Sequence, residues 1–212
     1  MYNSVEYSSL EPIHIASADD MPDTTTLIER WQQGDERAAE ALYTQCREAT
    51  LRLAYGLLGN QADAEEAAQD ALVYALTQIK RFDPSRASFT TWLHTITVSR
   101  CRNHHRRRSR HVPSFAWQEV GDDLIDPAPT PEHCAGRSET RDQIWQAIQA
   151  LKQPLREAIL LRYWAGHTYR EMAGILGCPV ATTQSRVRLA YQQLRTRLTS
   201  ADLAELEEEQ VL

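Results

Sequence analysis

The stretch from Thr168 to Leu194 constrains the fold of this chain more than any other part of the sequence. Thr168 can cap a helix, and Glu171, three residues later, completes a capping box. Gly177 ends that helix, because the turn that follows needs a residue that accepts a positive φ. Pro179 then lies near the start of a second helix, where its missing N–H costs nothing. The pattern predicts a helix-turn-helix.

The two helices of this motif divide their side chains between an inner and an outer face. The residues that we expect to hold the helices together are Met172, Ala173, Ile175, Leu176, Val180, Val187, Ala190 and Leu194. The residues that we expect to face outward, toward base edges and phosphates in a major groove, are Thr182, Gln184, Ser185, Arg186 and Arg188. This outer face predicts binding to double-stranded DNA. An ordinary helical hairpin with a polar outer face is the alternative.

A second basic segment lies between residues 100 and 110, where six arginines occur without an acidic residue. A helix end of this kind can follow a DNA backbone, with an affinity that falls as salt rises. Phe89, Trp92 and His94 precede it and can stack on unpaired bases, although the helical spacing of Trp92 favours a position in the core. A solvated basic face is the alternative for the arginines.

Cysteine and histidine residues are too scattered to predict a metal centre. Cys101 and His105 can share a helix face, with His104 beside them, but no fourth ligand lies nearby in the sequence. We therefore expect no metal, no cofactor and no catalytic residues. The four cysteines, Cys46, Cys101, Cys134 and Cys178, lack the density of a disulfide framework, and we expect free thiols.

A net charge of −6 is unusual for a chain that is predicted to bind DNA. The acidic residues, however, are concentrated in three stretches of the sequence. Residues 1–24 hold five acidic residues, residues 111–140 hold six, and residues 201–212 hold five, with one arginine among the three stretches. The rest of the chain holds 22 basic and 13 acidic residues. This surplus is typical of folded segments that contact phosphates, flanked by acidic tails. The alternative role of the tails is to keep the protein soluble.

Hydrophobic spacing, with only eight glycines and nine prolines in 212 residues, predicts an all-α protein. We expect two small helical domains joined by an extended, acidic, Pro-rich linker. The predicted parts are a flexible acidic arm at 1–24, a first domain at 25–110, the linker at 111–138, a second domain at 139–200 and an acidic tail at 201–212. No membrane span or secretory signal is evident, so we expect a cytoplasmic protein.

Local signals divide the first domain into four helices. Gly34 and Gly59 break the apolar periodicity, and a third helix is expected from about residue 62 to residue 79. Pro84 predicts a turn at 82–85, because a proline disfavours helix at the residue before it. Ser88 is a good N-cap for the fourth helix, which continues into the basic segment.

Three stretches of this sequence together resemble the extracytoplasmic-function group of bacterial sigma factors, the two-domain initiation subunits of RNA polymerase. They are Asp63-Ala-Glu-Glu-Ala-Ala-Gln-Asp-Ala-Leu, Ser88-Phe-Thr-Thr-Trp-Leu-His-Thr-Ile, and Leu151-Lys-Gln-Pro-Leu-Arg-Glu-Ala-Ile-Leu-Leu-Arg-Tyr running into the helix-turn-helix. The resemblance covers about 27–110 and 144–198, which is most of the chain.

The resemblance implies a role for each motif. The docking residues on the clamp helices of the polymerase β′ subunit would be Asp63, Glu66, Gln69 and Asp70. The loop at 82–89 and the following helix would melt the −10 element, and the residues for that element and its backbone would be Phe89, Trp92, Ser99, Arg100, Arg102, Asn103, Arg106 and Arg107. The helix-turn-helix would read the −35 element, and the linker would thread into the polymerase.

The family function implied is that of a non-enzymatic subunit that directs core RNA polymerase to promoters and opens DNA. Its partners would be core polymerase, at the β′ clamp helices and the β flap, promoter DNA, and an anti-sigma factor that can hold it at the membrane; no small-molecule substrate is implied. In the −10 helix, Ser99 stands where the family usually has asparagine and reaches less far toward a base, and an aspartate is commoner near Asn103. In the recognition helix, Gln184 and Tyr191 stand where basic residues are frequent, which predicts fewer phosphate contacts and a different −35 preference. The alternatives are a helix-turn-helix regulator that works without polymerase, a helical nuclease and a protein-interaction adaptor.

Overall fold

The computed structural model describes residues 23–111 and 139–198, without the side chains of 109–111 and 139–141. The predicted linker, most of the arm and the acidic tail lie outside these residues. The α-helices of the described part are α1 (Thr24–Gln32), α2 (Glu36–Leu58), α3 (Gln61–Thr77), α4 (Phe89–His111), α5 (Glu139–Gln149), α6 (Gln153–Ile159), α7 (Tyr169–Leu176) and α8 (Val180–Arg195). No strand occurs among these residues, so the all-α prediction is confirmed.

Short polar side chains and glycines set the ends of the first four helices. Asp35 caps α2 by accepting from the amide of Arg37 at 3.0 Å, and Gly59 ends it with φ of 72°. Asn60 caps α3 in the same way, and the Ser88 hydroxyl accepts from the amide of Thr91 at 3.1 Å at the start of α4. The predicted break points of the first domain are therefore confirmed.

Small side chains allow α2 and α3 to pack closely. The face of α3 toward the core is a stripe of buried alanines: Ala64, Ala67, Ala68, Ala71 and Ala75. The adjacent face of α2 carries larger side chains, and Leu53 and Leu57 are buried there. Because alanine takes little room, helix axes can approach toward the short end of the usual 8–10 Å range. We call α1–α4 the first unit.

The second unit, α5–α8, is organised around the helix-turn-helix. Pro154 lies in the first turn of α6, where a proline breaks no helical hydrogen bond. The helix continues as a π-helical turn at Leu160–Trp164 before the chain enters α7. Leu161, Met172 and Leu194 are completely buried between α6, α7 and α8.

The two units pack directly against each other. One continuous core cluster contains residues of both, from Leu53 and Val98 in the first unit to Leu161 and Met172 in the second. Helix α4 lies against α7, and α2 lies against α6 and the π-helical turn. The sequence predicted two units on a tether and gave no indication of this contact.

Candidate nucleic-acid interface

The helix-turn-helix forms through the local interactions that its sequence predicts. The Thr168 hydroxyl accepts from the amide of Glu171, while the Glu171 carboxylate accepts from the amide of Thr168 at 2.8 Å, which is a complete capping box. The Glu171 carboxylate also accepts from the Thr168 hydroxyl at 2.7 Å, and the two hydrogen bonds that it accepts from Thr168 lower its pKa. Gly177 ends α7 with φ of 65°. The capped helix and the glycine turn fix the direction in which α8 leaves.

The inner face of the motif differs from the prediction at the start of α8. Val187, Ala190 and Leu194 are buried as expected, but Val180 is 40% exposed. The side chain that closes the interface there is Thr183, which is fully buried and donates its hydroxyl to the backbone oxygen of Val180 at 2.7 Å. A satisfied hydroxyl can replace an apolar side chain in a core, and the assignment of Val180 to the inner face was wrong.

The outer face of α8 presents polar donors to solvent. Gln184, Ser185 and Arg188 are exposed on its first turns. Thr182 and Arg186 are half-buried, and the guanidinium of Arg186 lies 3.7 Å from the Cys178 sulfur. An amide, a hydroxyl and a guanidinium on one face are the groups that pair with base edges and phosphates.

The basic end of α4 lies in the first unit, beside α3. Ser99, Arg106 and Arg107 are exposed there, whereas Arg100, Arg102 and Asn103 are half-buried. The guanidinium of Arg100 lies 4.6 Å from the centre of the Tyr74 ring, a cation–π contact. Most of the predicted phosphate-contacting groups thus share one stretch of helix, and some already have partners within the protein.

Aromatic residues cluster before this basic end. The rings of Phe82, Phe89 and Trp92 lie 5.5–5.8 Å apart between centroids. Phe89 is buried, so its ring is not open to a base in this conformation, while Trp92 is half-buried. Of the predicted stacking residues of this cluster, Trp92 is the one that can meet an unpaired base.

His94 lies at the contact between the two units and not in solvent. Its side chain is buried and its Nδ1 lies 2.7 Å from Nε2 of His167, across the contact between the two units. Burial, with a smaller contribution from His167, lowers the pKa of His94 to about 3, and burial also lowers the pKa of His167. The suggestion that His94 stacks on bases was wrong, because its ring is enclosed.

The predicted polymerase-docking residues share the surface of α3. Glu66, Gln69 and Asp70 are exposed, and Asp63 is half-buried. Asp63 accepts from Arg108 at 2.7 Å, and the Nε2 of His104 lies 3.4 Å from the Glu66 carboxylate. The acidic face of α3 and the basic end of α4 are therefore direct neighbours.

Sequence reasoning missed the partner of Arg102. Its guanidinium forms two hydrogen bonds with the Glu157 carboxylate in α6, of 2.8 and 2.6 Å, and a longer one with the backbone oxygen of Leu176. Glu157 is only 3% exposed. Nothing local indicates this pair, since its members lie 55 residues apart in the sequence.

The side chains considered for zinc do not converge. Cys101 is buried in the core, where burial and the nearby Glu157 raise the pKa of its thiol to about 12, whereas His105 is exposed. Within residues 23–111 and 139–198, no group of three or more His, Cys, Asp or Glu side chains is arranged to hold a metal ion. None of the helices described there is long and apolar enough to span a bilayer.

Comparison with known proteins finds family matches in both units. The family described as Sigma-70 region 2 matches residues 42–111, and the family described as Sigma-70, region 4 matches residues 141–194. The RNA polymerase sigma-H factor of Pseudomonas aeruginosa is 32% identical over 174 residues, covering 79% of this chain and 90% of that protein. The ECF RNA polymerase sigma-E factor of Escherichia coli K12 is 28% identical over 178 residues, covering 81% and 92%.

Two solved structures are similar to the fold described above. The sigma factor RpoE of Bartonella quintana, solved in complex with the anti-sigma factor NepR, aligns with a TM-score of 0.59 at 27% identity, over 73% of this chain and 92% of that one. CnrH, solved in complex with the cytosolic domain of CnrY, aligns with a TM-score of 0.58 at 22% identity, over 81% and 94%. The second likeness concerns the fold alone.

Proposed function

The chain belongs to the sigma-70 family of bacterial RNA polymerase sigma factors, in its extracytoplasmic-function group, and from this premise we propose how its residues share the work of initiation. The protein binds core RNA polymerase and directs it to promoters by recognising −10 and −35 elements. The observation that supports the division of labour is that two separate helices, α4 and α8, each carry exposed polar and basic side chains in a different family unit.

In the second unit, α8 enters the major groove of the −35 element. Gln184 and Arg188 reach base edges, since amide and guanidinium groups can pair with purines, and Ser185 and Arg186 contact phosphates. Thr182 lies at the edge of this face. The capping box and the Gly177 turn hold α8 at a fixed angle, so the position of these groups is set before DNA arrives.

In the first unit, α4 and the loop before it act on the −10 element. Ser99 and Trp92 face the opened bases, while Arg100, Arg106 and Arg107 hold the backbone. The side-chain oxygen of Asn103 accepts a hydrogen bond from the Arg106 guanidinium and so orients it. Strand opening needs no hydrolysis, because captured bases stabilise the open state and a flipped base costs a few kcal/mol. The protein accordingly works without catalytic chemistry of its own.

The acidic surface of α3 docks on core polymerase. Glu66, Gln69 and Asp70 are exposed along one side of the helix, beside Asp63, and suit the clamp helices of β′; the second unit meets the β flap. Because the sigma factor RpoE of Bartonella quintana was solved in complex with an anti-sigma factor, we propose a partner of that kind here, with the protein in the cytoplasm or held at the membrane through that partner.

Run-off transcription tests the proposal. Purified core polymerase, with and without this chain, is supplied with candidate promoters, and gel filtration measures core binding in parallel. We expect a complex with core and promoter-dependent transcripts only when the chain is present. Tight binding of the chain alone to a palindromic duplex, with no core binding and no stimulation, would instead identify a regulator that works without polymerase.

A further inference from the structure

Leu189 is an apolar side chain that is open to solvent on the helix proposed for DNA binding. It is 49% exposed. Among the residues whose side chains the structure describes, the other large hydrophobic residues with such exposure are Val73 and Val180. Single exposed hydrophobic residues are common on protein surfaces and by themselves indicate no function. The position of Leu189 on α8 is the feature that distinguishes it.

Leu189 belongs to a stripe of exposed positions that runs along the middle of α8. The members of this stripe are Gln184, Ser185, Arg188 and Leu189. Residues at a position and at one, four and five places after it share one face of a helix. The buried positions that alternate with them are Thr183, Val187 and Ala190. Leu189 therefore shares the face that carries the groups proposed to meet base edges.

The helical geometry places Leu189 close to the base edges that its neighbours would meet. Positions three and four apart are adjacent on a helix surface, so Leu189 borders Arg186 and Ser185. Long side chains on a helix lean toward its N-terminus, so the leucine covers part of the turn that carries these two residues. The stripe from Gln184 to Leu189 rises about 7.5 Å, which is about two base-pair steps. One short run of base pairs can therefore meet the whole stripe.

The surroundings of Leu189 favour a nucleic acid over a protein as its partner. Protein interfaces are centred on clusters of apolar and aromatic side chains. The four positions adjacent to Leu189 on the helix surface are instead all polar, and none is acidic: they are Ser185, Arg186, Gln192 and Gln193. A single apolar side chain within a ring of hydrogen-bond donors suits a base edge that is bordered by phosphates.

The chemistry of leucine restricts what it can recognise in a major groove. Its side chain has no donor and no acceptor, so it cannot pair with the nitrogen and oxygen atoms that bases present there. Thymine is the base that also presents a methyl group, at C5. Contact between leucine and this methyl group removes apolar surface of both from water. A leucine placed against a polar base atom would instead remove that atom from water without a hydrogen bond, which is unfavourable.

We infer that Leu189 packs on the C5 methyl group of a thymine in the −35 element and thereby sets a preference for thymine at one position of that element. The inference rests on the proposed function, because that function supplies the duplex that α8 enters. Gln184 and Arg188 pair with purines through hydrogen bonds. Leu189 adds a contact of a different kind, since it recognises a pyrimidine through an apolar group.

Selection of base sequences by holoenzyme tests the inference. Core polymerase is assembled with the full-length chain, and a promoter that is active in the run-off assay is randomised over its −35 element. The duplexes that bind are sequenced for the wild type and for Leu189→Ala. We expect the wild type to prefer thymine at one position, and Leu189→Ala to lose the preference at that position alone. Far-UV circular dichroism and gel filtration with core check folding and assembly.

Val180→Ala is the matched control for loss of an exposed apolar side chain from α8. Val180 lies nine residues before Leu189, which is about two and a half turns, so the two residues lie on opposite sides of the helix. We expect Val180→Ala to select the same bases as the wild type. Leu189→Met keeps an apolar side chain of similar volume and should retain the thymine preference.

Deoxyuridine measures the methyl contact directly. Substituted for the selected thymine, it removes only the methyl group from the groove. Wild-type holoenzyme should bind the deoxyuridine duplex about fourfold more weakly, which is the change expected when one apolar carbon group is no longer removed from water. Holoenzyme with Leu189→Ala should bind the thymine and deoxyuridine duplexes equally.

The outcomes separate this contact from the sigma role. Promoter-dependent transcription, together with wild-type base preferences for Leu189→Ala, refutes the thymine contact and leaves the sigma role standing. Weaker core binding by Leu189→Ala with unchanged base preferences assigns Leu189 to a protein interface and also refutes the contact.

Absence of promoter-dependent transcription refutes the sigma role, and the contact is then decided with the full-length chain alone on a random duplex pool. A thymine preference that is lost in Leu189→Ala supports the contact there too, and the absence of such a preference overturns it.

Discussion

Helices α8 and α4 both carry groups that we propose for DNA binding, but they hold them in different ways. On α8, Gln184, Ser185 and Arg188 are exposed on a helix whose angle is fixed by a capping box and a glycine turn. On α4, the guanidinium of Arg100 lies over a tyrosine ring and that of Arg102 is paired across the molecule.

The difference predicts that the two surfaces proposed for promoter binding respond differently to substitutions. The donors proposed on α8 are already exposed, so they need only meet a groove. Arg100 and Arg102 on α4 have partners within the protein and would have to exchange them to contact DNA. Substitutions that affect α8 should therefore act by weakening packing inside the second unit. Substitutions that affect α4 should act by removing polar contacts between α4 and the second unit.

The largest expected effect comes from the packing that holds α8. Met172 is completely buried in α7, so Met172→Ala leaves a cavity beneath the recognition helix and should lower the free energy of unfolding by about 3 kcal/mol. Chemical denaturation of the full chain measures it. Gly174→Ala, on the same helix with open space around its Cβ position, is the matched control and should be neutral or slightly stabilising. Equal effects of the two variants would contradict a packing role for α7.

The second effect concerns the imidazole pair that joins α4 to the second unit. Burial holds the pKa of His94 near 3, against about 6.5 in the unfolded chain, so the unfolded state binds more protons as pH falls below about 6.5. The contribution of His94 to the free energy of unfolding is therefore fully present above that pH and is lost progressively toward pH 3. Between pH 7 and pH 5 we expect a loss of about 2 kcal/mol from His94. The charged groups near the pair are Glu171, 3.8 Å from His167, and Arg162, which donates to the backbone oxygen of His167.

Thermal unfolding between pH 7 and pH 5 measures this dependence. His94→Asn should flatten the profile of the wild type, because the titrating group is gone. His105→Gln removes an exposed histidine from the same helix and should leave the profile as it was. If both variants titrate like the wild type, the pH dependence has another origin and the His94–His167 contact does not contribute to it.

The same contrast explains how much the sequence could predict. The helix-turn-helix is specified by neighbours in sequence, since Thr168 and Glu171 cap the start of α7 within one turn of each other and Gly177 caps its end, and these predictions are confirmed. The prediction placed Val180 on the inner face because its side chain is hydrophobic. In the structure Thr183 takes the buried position, because its hydroxyl donates a hydrogen bond to the backbone oxygen of Val180.

The partners of α4 lay beyond such reasoning. Arg102 and Glu157 lie in different units, and a charged residue in a basic segment is normally expected in solvent. Gly56 gave no local signal either, because it lies inside α2 and its role is to admit the Trp164 ring from the other unit. Contacts between side chains of different helices depend on which helices pack together. A single sequence does not show which helices do so, and these contacts could therefore not be predicted.

A smaller effect tests the local specification of α8. Thr168→Ala removes the hydroxyl that caps α7 and should lower the free energy of unfolding by about 1 kcal/mol. Thr168→Ser keeps the hydroxyl and should retain most of the stability. Urea denaturation of the full chain compares the two. A loss as large for serine as for alanine would show that the methyl group, and not the cap, matters at this position.

The smallest effect tests whether α8 is deficient in phosphate contacts. Gln184 is exposed on its first turn, and a lysine there adds one cation within reach of the backbone. Holoenzyme with Gln184→Lys should bind promoter DNA with a salt slope steeper by about 0.9, because one more counterion is released. Gln33→Lys makes the same charge change at the exposed end of α1 and should not alter the slope. If both variants leave it unchanged, residue 184 does not approach a phosphate; if both steepen it, net charge and not position is responsible.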